Sequence, residues 1–528
     1  MSGGTFAVDA SKSLSYAGVI AGTGGLTKSG NGTMTLSGAN TYSGGSTISA
    51  GSVKVGISSV GSAGAVTSGA LGTGTATVSS GTALDMNGMT IANALSVSGT
   101  GISSSSGSLF NTAATAASVT GPITLAGDST FISTPGLTLA TVNGGAYSLA
   151  VTASTAAGTG DITLNGPVTF SGENISTFTA SRNININASI SVGGSTSASG
   201  IALKYNQANL GGDYNFGLTA TGSGASLAAS FAGSLSFANT ASTFTTQSAA
   251  TSKSYTLVSA FTSANPSTST FYCSTTAQCG TNNTNFALAG DIDASTFTSN
   301  GAANGTKYAN MRALGTSNVA YAGTFAGLGH SITGLSLSGT NNVGLFQNTA
   351  NGSVVRDVRL SATTLSGGTN TGALVGTANS SLTMSNVVMD AVAASNTISS
   401  TGNYLGALVG NAGTGTLNTI YVLNTPVSGA AYVGGVLGGS SMTATNVHHV
   451  GAVAGTGSAV GGLMGYLGSS TITSSSSSGG DITGVSMVGG LVGYAAGTNT
   501  ITTSTVSNIV TGTANQVGGL VGYQNAGN

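Results

Sequence analysis

The chain has 528 residues with 86 glycines, ten basic and 11 acidic residues, and a formal net charge of −1. Ten Lys and Arg over this length cannot form the basic surface of a nucleic-acid binder, and two Cys cannot form a disulfide scaffold. Disorder combines low hydrophobicity with high charge, whereas 40% of these residues are hydrophobic and 4% are charged. The apolar residues stand singly or in pairs among Thr and Ser, which is typical of strands. We therefore expect an ordered, all-β chain.

The beginning of the chain shows no export signal. Residues 1–9 lack the basic stretch and apolar core of a secretory signal peptide. The most apolar run, 429–439, is too short and too rich in glycine for a membrane-spanning helix. Because the composition otherwise resembles that of exported proteins, we expect the chain to be part of a longer protein.

The composition divides the chain into three predicted regions. Residues 1–250 contain alternating apolar and polar phrases such as 158–170 and 182–194, which predict irregular β-helix coils. Residues 251–285 are rich in Ser, Thr and Asn and predict a loop excursion. This region contains Cys273 and Cys279, which could form a disulfide across a short loop or remain free thiols. Residues 286–528 carry the most regular pattern.

A glycine-apolar hexad recurs seven times in the C-terminal region. The first glycines of the hexads are Gly344, Gly372, Gly406, Gly434, Gly461, Gly489 and Gly518, so the intervals are 28, 34, 28, 27, 28 and 29 residues. A repeat of this length without a helical segment predicts one coil of a solenoid.

A short polar residue precedes an apolar strand at a similar place in each coil. We predict that these residues stack as an internal ladder at a corner, because Asn tolerates the left-handed turn conformation and its amide can bond to the next coil. The predicted ladder comprises Asp357, Asn386, Asn418 and Asn446, followed by Ser475 and Ser504.

These features predict a right-handed parallel β-helix (β-solenoid), elongated and forming a single continuous body. Each strand would pair with the same strand of the next coil, with Val, Leu and Ile inside and Ser and Thr outside. The chain stops just after its last hexad, so the last full coil would present unpaired backbone groups. We therefore expect possible end-to-end self-association.

Three stretches resemble known exported proteins. Residues 24–56 (GGLTKSGNGTMTLSGANTYSGGSTISAGSVKVG) resemble the passenger-associated repeat of bacterial autotransporters. RNININASIS resembles coils of filamentous-haemagglutinin-type adhesins, and FALAGDIDAS with the VGGLVG series resembles the glycine-leucine-glycine (GLUG) repeats of large adhesins. The resemblance implies a β-helix passenger outside a Gram-negative cell, with an outer-membrane translocator in the full-length protein. It leaves the secretion route and the ligand open.

Few polar residues could form a catalytic site. Asp291 and Asp293 would point to one side of a strand, as a polysaccharide-acting enzyme or a calcium site requires, but the simpler interpretation is a surface pair. The charged cluster 356–359 is interpreted as a solvated strand with Asp357 in the ladder.

The histidines offer no metal motif. His448 and His449, being adjacent, would face opposite sides of a strand, and His330 would lie in a turn. The single Glu, Glu173, rules out an H-E-x-x-H zinc motif. We therefore predict no catalytic, cofactor or metal site.

The predicted function is adhesion. The chain would attach to an unknown receptor or glycan on a host, a surface or another cell, without binding nucleic acid. A polysaccharide-acting β-helix enzyme is the alternative, and an ice-binding solenoid is a weaker one because its Thr-x-Thr phrases are irregular.

Overall fold

The computed structural model describes residues 3–103, 106–154, 160–249, 251–261, 283–295, 320–391 and 395–525. Their regular structure is almost entirely β, and one turn of 3₁₀-helix lies at Gly224–Ser226. Among the described residues, no helix has the length and apolar character that a membrane span requires. Two compact units divide the chain: Met1–Gly217 with Phe231–Tyr255, and Leu218–Ser230 with Thr256–Asn528.

The strands are short and follow one another closely along the chain. They are β1 Gly4–Ala7, β2 Ser13–Tyr16, β3 Leu26–Ser29, β4 Thr33–Leu36, β5 Ser46–Ile48, β6 Ser52–Val55, β7 Val60–Ser62, β8 Ala65–Ser68, β9 Ala76–Val78, β10 Ala83–Asp85, β11 Thr90–Ile91, β12 Leu95–Gly99, β13 Leu109–Asn111, β14 Ala117–Val119, β15 Ile123–Ser133, β16 Gly136–Leu139, β17 Val142–Gly145, β18 Leu149–Ala153, β19 Asp161–Leu164, β20 Val168–Phe170, β21 Ile175–Ala180, β22 Ile184–Ile186, β23 Ser189–Val192, β24 Gly200–Tyr205, β25 Tyr214–Asn215, β26 Leu218–Thr221, β27 Ala228–Phe231, β28 Ser234–Phe237, β29 Thr243–Ser248 and β30 Thr251–Val258.

The C-terminal half continues this pattern. Its strands are β31 Asn285–Leu288, β32 Ile292–Asp293, β33 Thr324–Ala326, β34 Ser331–Thr333, β35 Ser336–Val343, β36 Phe346–Thr349, β37 Ser353–Ser361, β38 Thr364–Thr371, β39 Val375–Ala378, β40 Leu382–Asp390, β41 Thr397–Ser400, β42 Asn403–Gly406, β43 Val409–Val422, β44 Val427–Gly429, β45 Ala431–Gly434, β46 Leu437–Val450, β47 Val453–Gly455, β48 Val460–Gly461, β49 Met464–Leu467, β50 Ser470–Thr473, β51 Ser476–Ser478, β52 Ile482–Gly484, β53 Val488–Gly489, β54 Val492–Ala495, β55 Asn499–Thr502, β56 Thr505–Val506, β57 Val510–Gly512, β58 Val517–Gly518 and β59 Val521–Gln524.

The first unit consists of parallel columns of strands. One column runs β2, β4, β6, β10, β13, β15, β18, β21, β24 and β29. Another column consists of β11, β14, β16, β19, β22 and β25. Because the strands of these columns pair in parallel with the equivalent strands of the next coil, apolar side chains such as Leu84, Leu109 and Phe131 stack inside, where they are fully buried.

In the second unit the hexads set the register of the coils. The first residue of each hexad forms an inward column: Val343, Thr371, Leu405, Val433, Val460, Val488 and Val517. The fourth residue after it forms another column for most hexads, including Val409, Leu437, Met464 and Val492. The predicted all-β parallel β-helix is therefore confirmed, and the repeated apolar residues form its core.

Several glycines of the hexads allow close contact between neighbouring segments. A Cβ atom on Gly435 would lie 2.4 Å from Cγ of His449, and one on Gly465 would lie 2.3 Å from the backbone carbon of Tyr432. Neither space can hold a methyl group, so the glycines of these hexads are required by packing.

Part of the predicted loop excursion 251–285 is regular structure. Strand β30 pairs antiparallel with β29, from Phe244 opposite Tyr255 to Ser248 opposite Thr251. This segment forms a strand because polar residues alternate with Tyr255 and Leu257, so that the Tyr255 and Leu257 side chains both point inward. Cys273 and Cys279 lie outside the described residues.

Candidate functional site

One corner of the second unit contains a ladder of left-handed residues. The backbone φ angle lies between 46° and 59° at one residue per coil: Asp357, Asn386, Thr419, Asn446, Ser474 and Thr503. Nδ2 of Asn386 donates to Oδ1 of Asp357 at 2.9 Å, and Nδ2 of Asn446 donates to Oγ1 of Thr419 at 3.3 Å. We call this set the corner ladder.

The predicted register of the ladder is wrong at three positions. Thr419, not Asn418, takes the corner. Leu417 and Ile420 both face the core, and the left-handed residue between them is the one directly before Ile420. Asn418 instead lies on the exposed face of β43. Likewise, Ser474 and Thr503 take the corner in place of Ser475 and Ser504.

The ladder is also less buried than predicted. Only Asp357 is fully buried among its members, whereas Asn386 and Asn446 are half-buried and Ser474 is exposed. The corner therefore stabilises the stacking of coils from the surface of the unit.

The charged cluster 356–359 is not a solvated strand. Nε of Arg356 lies 2.5 Å from Oδ2 of Asp357, and these residues are 8% and 0% exposed. Nη2 of Arg359 lies 2.5 Å from Oδ2 of Asp390, beside a cleft of about 260 Å³. Because a buried charge requires a partner, these contacts fit a structural role for both pairs.

Asp291 and Asp293 lie on the same exposed side of the chain, with Ile292 buried between them. Oδ1 of Asp291 accepts hydrogen bonds from N and Oγ of Ser331, at 2.7 and 2.9 Å. The hydrogen bond from His330, with those from Ser331, lowers the pKa of Asp291 below its usual range. Hydrogen bonds from Ser295 lower the pKa of Asp293. Both carboxyls are thus held as carboxylates, whereas a general acid needs a raised pKa.

The adjacent histidines of β46 face opposite sides, as predicted. His448 is half-buried on the outside, where its ring stacks on Tyr421 with centroids 5.2 Å apart. His449 is fully buried, and its Nε2 lies 2.9 Å from the carbonyl oxygen of Thr425. Burial lowers the pKa of His449 to about 4. The third histidine, His330, follows the turn at 328–329, and its side chain is buried.

A row of aromatic side chains crosses the outside of the hexad strands. We call it the tyrosine stripe, and it comprises Tyr404, Tyr432, Tyr466, Tyr494 and Tyr523. The last three follow their hexads directly and are paired across adjacent coils in β49, β54 and β59. The first two precede their hexads in left-handed conformation. All five side chains are half-buried.

The rings of the stripe contact one another in sequence. Centroid distances are 4.6 Å for Tyr404–Tyr432, 6.3 Å for Tyr432–Tyr466, 5.5 Å for Tyr466–Tyr494 and 5.6 Å for Tyr494–Tyr523. The hexad pattern alone did not indicate this surface. Its signal was the Tyr that ends the phrases VGGLMGY and VGGLVGY.

In the first unit, a buried lysine joins two successive coils. Lys28 of β3 is fully buried, and its Nζ donates to the carbonyl oxygens of Ser29, Gly30 and Ala50 at 2.9, 2.8 and 3.2 Å. Burial lowers the pKa of Lys28. The long apolar stem lies in the core while the ammonium group satisfies carbonyls at the coil corner.

This part of the chain also matches a known family. Residues 26–55, which form β3 to β6, match the passenger-associated-transport-repeat. The match points to an autotransporter passenger. Searches of curated proteins and of solved structures found no match.

In the part of the chain that the structure describes, no group of three or more His, Cys, Asp or Glu side chains is placed to hold a metal ion.

Proposed function

We propose that the chain is an adhesive, non-enzymatic passenger region of a secreted or cell-surface protein of a Gram-negative bacterium. The observation that carries the proposal is the passenger repeat at 26–55, which folds here as successive coils of a parallel β-helix. An autotransporter passenger implies an outer-membrane translocator in the full-length protein. The filamentous-haemagglutinin and GLUG resemblances belong to the same proposal.

The surface chemistry of the second unit supports binding rather than catalysis. From residue 391 onward the sequence contains one acidic residue, Asp481, and no Lys or Arg. Strand columns instead present hydroxyls, amides and tyrosine rings to solvent. A regular outer face of this kind offers many equivalent contacts to a receptor, and the contacts can act together.

Adhesion can be tested with beads coated with the purified chain. We expect these beads to adhere to cultured epithelial cells, plastic or other bacteria more strongly than albumin-coated beads do. Equal adhesion of both kinds of bead to all three targets would refute adhesion.

The enzyme alternative requires Asp291 and Asp293 to act together. The purified chain should release no reducing ends from neutral or acidic polysaccharides. Release that disappears in the variant D291A/D293A would replace the adhesive proposal with a polysaccharide-acting enzyme.

We also propose end-to-end association through the last coil. Val517 and Leu520 are 44% and 46% exposed, whereas the equivalent Val488 and Leu491 of the preceding coil are fully buried. An exposed edge of this kind pairs readily with another strand. Scattering at increasing protein concentration should show growth of the particle, and V517K should reduce it. A scattering profile independent of concentration would refute the association.

A further inference from the structure

One outer face of the second unit carries a two-column array of hydroxyl and amide side chains. We propose that this face binds ice. The inference goes beyond the proposed adhesion to cells and does not depend on it. The columns run side by side across β40, β43, β46, β50 and β55, and we call them together the threonine face. The first column is Thr383, Thr416, Thr443, Thr471 and Thr500, and the second is Ser385, Asn418, Thr445, Thr473 and Thr502.

The register of the coils makes this array regular. In the second column, every residue pairs in parallel with its neighbour on the next coil. In the first column, pairing runs from Thr383 to Thr443 and from Thr471 to Thr500. The pair Thr445–Thr473 brings Thr443 beside Thr471, two residues earlier in the same strands. Thr-x-Thr phrases that are irregular along the sequence therefore form a continuous array on the folded coils.

The side chains of the threonine face point to solvent. The two columns are separated by a third that enters the core, in which Met384, Ala444 and Ile472 are fully buried. Because side chains alternate along a strand, the residues on both sides of this core column face outward. All ten are exposed or half-buried, and none is buried. Half-burial is expected in a close array, since neighbouring coils cover the sides of each side chain and leave its tip in solvent.

The dimensions of the array match distances in ice. Neighbouring coils are roughly 4.8 Å apart, and residues two apart along a strand are roughly 6.6 Å apart. Oxygen atoms on planes of hexagonal ice repeat at similar distances in two perpendicular directions. The array has four steps between coils, so it is roughly 19 Å long. Water bound along it can therefore take positions that continue into the ice lattice.

The chemistry of threonine suits an ordered layer of water. Its hydroxyl donates and accepts hydrogen bonds, and its β-branched side chain has few rotamers. The hydroxyls are thus held in place before binding, which reduces the entropy lost on contact with a crystal. Oγ1 of Thr473 and Oγ1 of Thr502 lie 3.3 Å apart, so they form a hydrogen bond along the column. None of the ten side chains is charged, so no ionic hydration shell disturbs the bound water.

Another outer face of the same unit lacks this regularity. Its column on β38, β41, β44, β47, β52 and β57 consists of Ser366, Ser399, Ser428, Ala454, Thr483 and Thr511. Two residues before Ser428, Ala454 and Thr483 stand Pro426, Ala452 and Asp481. This interrupted face has exposed threonines without a continuous array, so it supplies control positions on the same coils.

The test is thermal hysteresis of the full chain, measured together with uptake of the fluorescently labelled chain into growing ice. We expect hysteresis, faceted ice crystals and greater enrichment in ice than for albumin at the same concentration. The double variant T445K/T473K places two charges at the centre of the array and should lose at least fivefold in hysteresis. The matched control is T483K/T511K, because these paired threonines are exposed on the interrupted face. It should keep most of the hysteresis.

Absence of both hysteresis and uptake into ice would overturn the proposal, and so would equal losses in the two Lys variants. Circular dichroism checks that the coils remain folded, and T445A/T473A against T483A/T511A gives the same comparison if a Lys pair unfolds them. A chain that binds ice while coated beads adhere to nothing would support the ice-binding face and refute the proposed adhesion. Adhesive beads coated with a chain that is inactive toward ice would refute ice binding alone.

Discussion

The buried histidine of β46 should make the second unit sensitive to mild acid. His449 lies in an inward column with Leu360, Met389, Val422 and Ser477 on neighbouring coils. Its Nε2 carries the proton, because the carbonyl oxygen of Thr425 only accepts. Its Nδ1 is buried without a hydrogen-bond partner in the described part of the chain. The folded protein therefore holds this imidazole neutral.

The sign and size of the effect follow from the pKa of His449. Burial lowers it from 6.5 to about 4 in the folded state. Between these values the unfolded state binds more protons, so the free energy of unfolding falls as the pH falls from about 7 to about 4. The difference between the two pKa values corresponds to at most about 3 kcal/mol. The lowered pKa values of Asp291 and Asp293 act below this window.

The variant H449L should remove most of this dependence. Leu matches the apolar residues of the column, and at pH 7.5 it should change the free energy of unfolding by only about 1 kcal/mol, through loss of one hydrogen bond. At pH 4.5 the parent protein has lost about 2.5 kcal/mol, so H449L should be the more stable of the two by about 1–2 kcal/mol.

Hydrogen exchange of the β46 amides is the suitable measurement, because coils of a repeat protein can open locally. The matched control is H448Q, since His448 is half-buried and burial lowers its pKa as well. It should leave most of the acid sensitivity intact. The same dependence on pH in H449L and in the parent protein would refute the reasoning.

Three further pairs of variants test the packing of the coils by thermal or urea unfolding. N386L should lower the free energy of unfolding by about 2–4 kcal/mol, because it removes the donor to buried Asp357 and forces Leu into a left-handed conformation. N418L, at an exposed position, should lower it by less than about 0.5 kcal/mol. Equal effects of the two variants would contradict the observed register. K28M should lower the free energy of unfolding by about 2–4 kcal/mol, because three charge-assisted hydrogen bonds are lost. K54M should lower it by less than about 1 kcal/mol, because the ion pair of Lys54 with Asp85 is partly exposed. A larger loss for K54M than for K28M would refute the role of Lys28. G490A should lower the free energy of unfolding by about 1–3 kcal/mol, because its Cβ would meet Gly519 and Val506. G519A has open space around its Cβ and should lower it by about 0.5 kcal/mol or less. Similar losses for both variants would show that the hexad glycines act through flexibility alone.

The sequence predicted the coils because their core is periodic. Val433, Val460 and Val488 recur at one interval per coil, and parallel pairing brings equivalent residues into one column. The same logic placed Asn386 and Asn446 at the corner. Apolar residues that face the core thus define both the repeat length and the position of nearby polar residues.

Single residues between two core positions were harder to assign. Asn418 and Thr419 are both acceptable at a turn, and the preference of Asn for the left-handed conformation favoured the wrong one. The choice is made by Leu417 and Ile420, which enter the core and leave Thr419 at the turn. Burial of these two side chains outweighs the smaller conformational preference of one Asn.

Burial of charge was equally invisible in the sequence. Lys28 resembles an ordinary exposed lysine, and it is buried because carbonyls from two different coils converge on its Nζ. Arg356 and Asp357 are buried because each supplies the other with a partner. These environments depend on segments that are distant in sequence.

The tyrosine stripe depends on register in the same way, but with two different origins. Tyr404 and Tyr432 extend from left-handed corners, and Tyr466, Tyr494 and Tyr523 extend from strands. The two series join at Gly439: this residue pairs with Tyr466, and a Cβ on it would lie 2.8 Å from Cδ1 of Tyr404. A larger residue there would displace the Tyr404 ring, so the glycine makes room for it.

Continuity of the stripe therefore requires the core columns, the left-handed corner and one glycine together. A single-residue shift of any coil would turn its tyrosine toward the core, because side chains alternate along a strand. The Val and Leu columns prevent such a shift, since they would have to leave the core at the same time. The residues that stabilise the solenoid thus also hold five aromatic rings in one line.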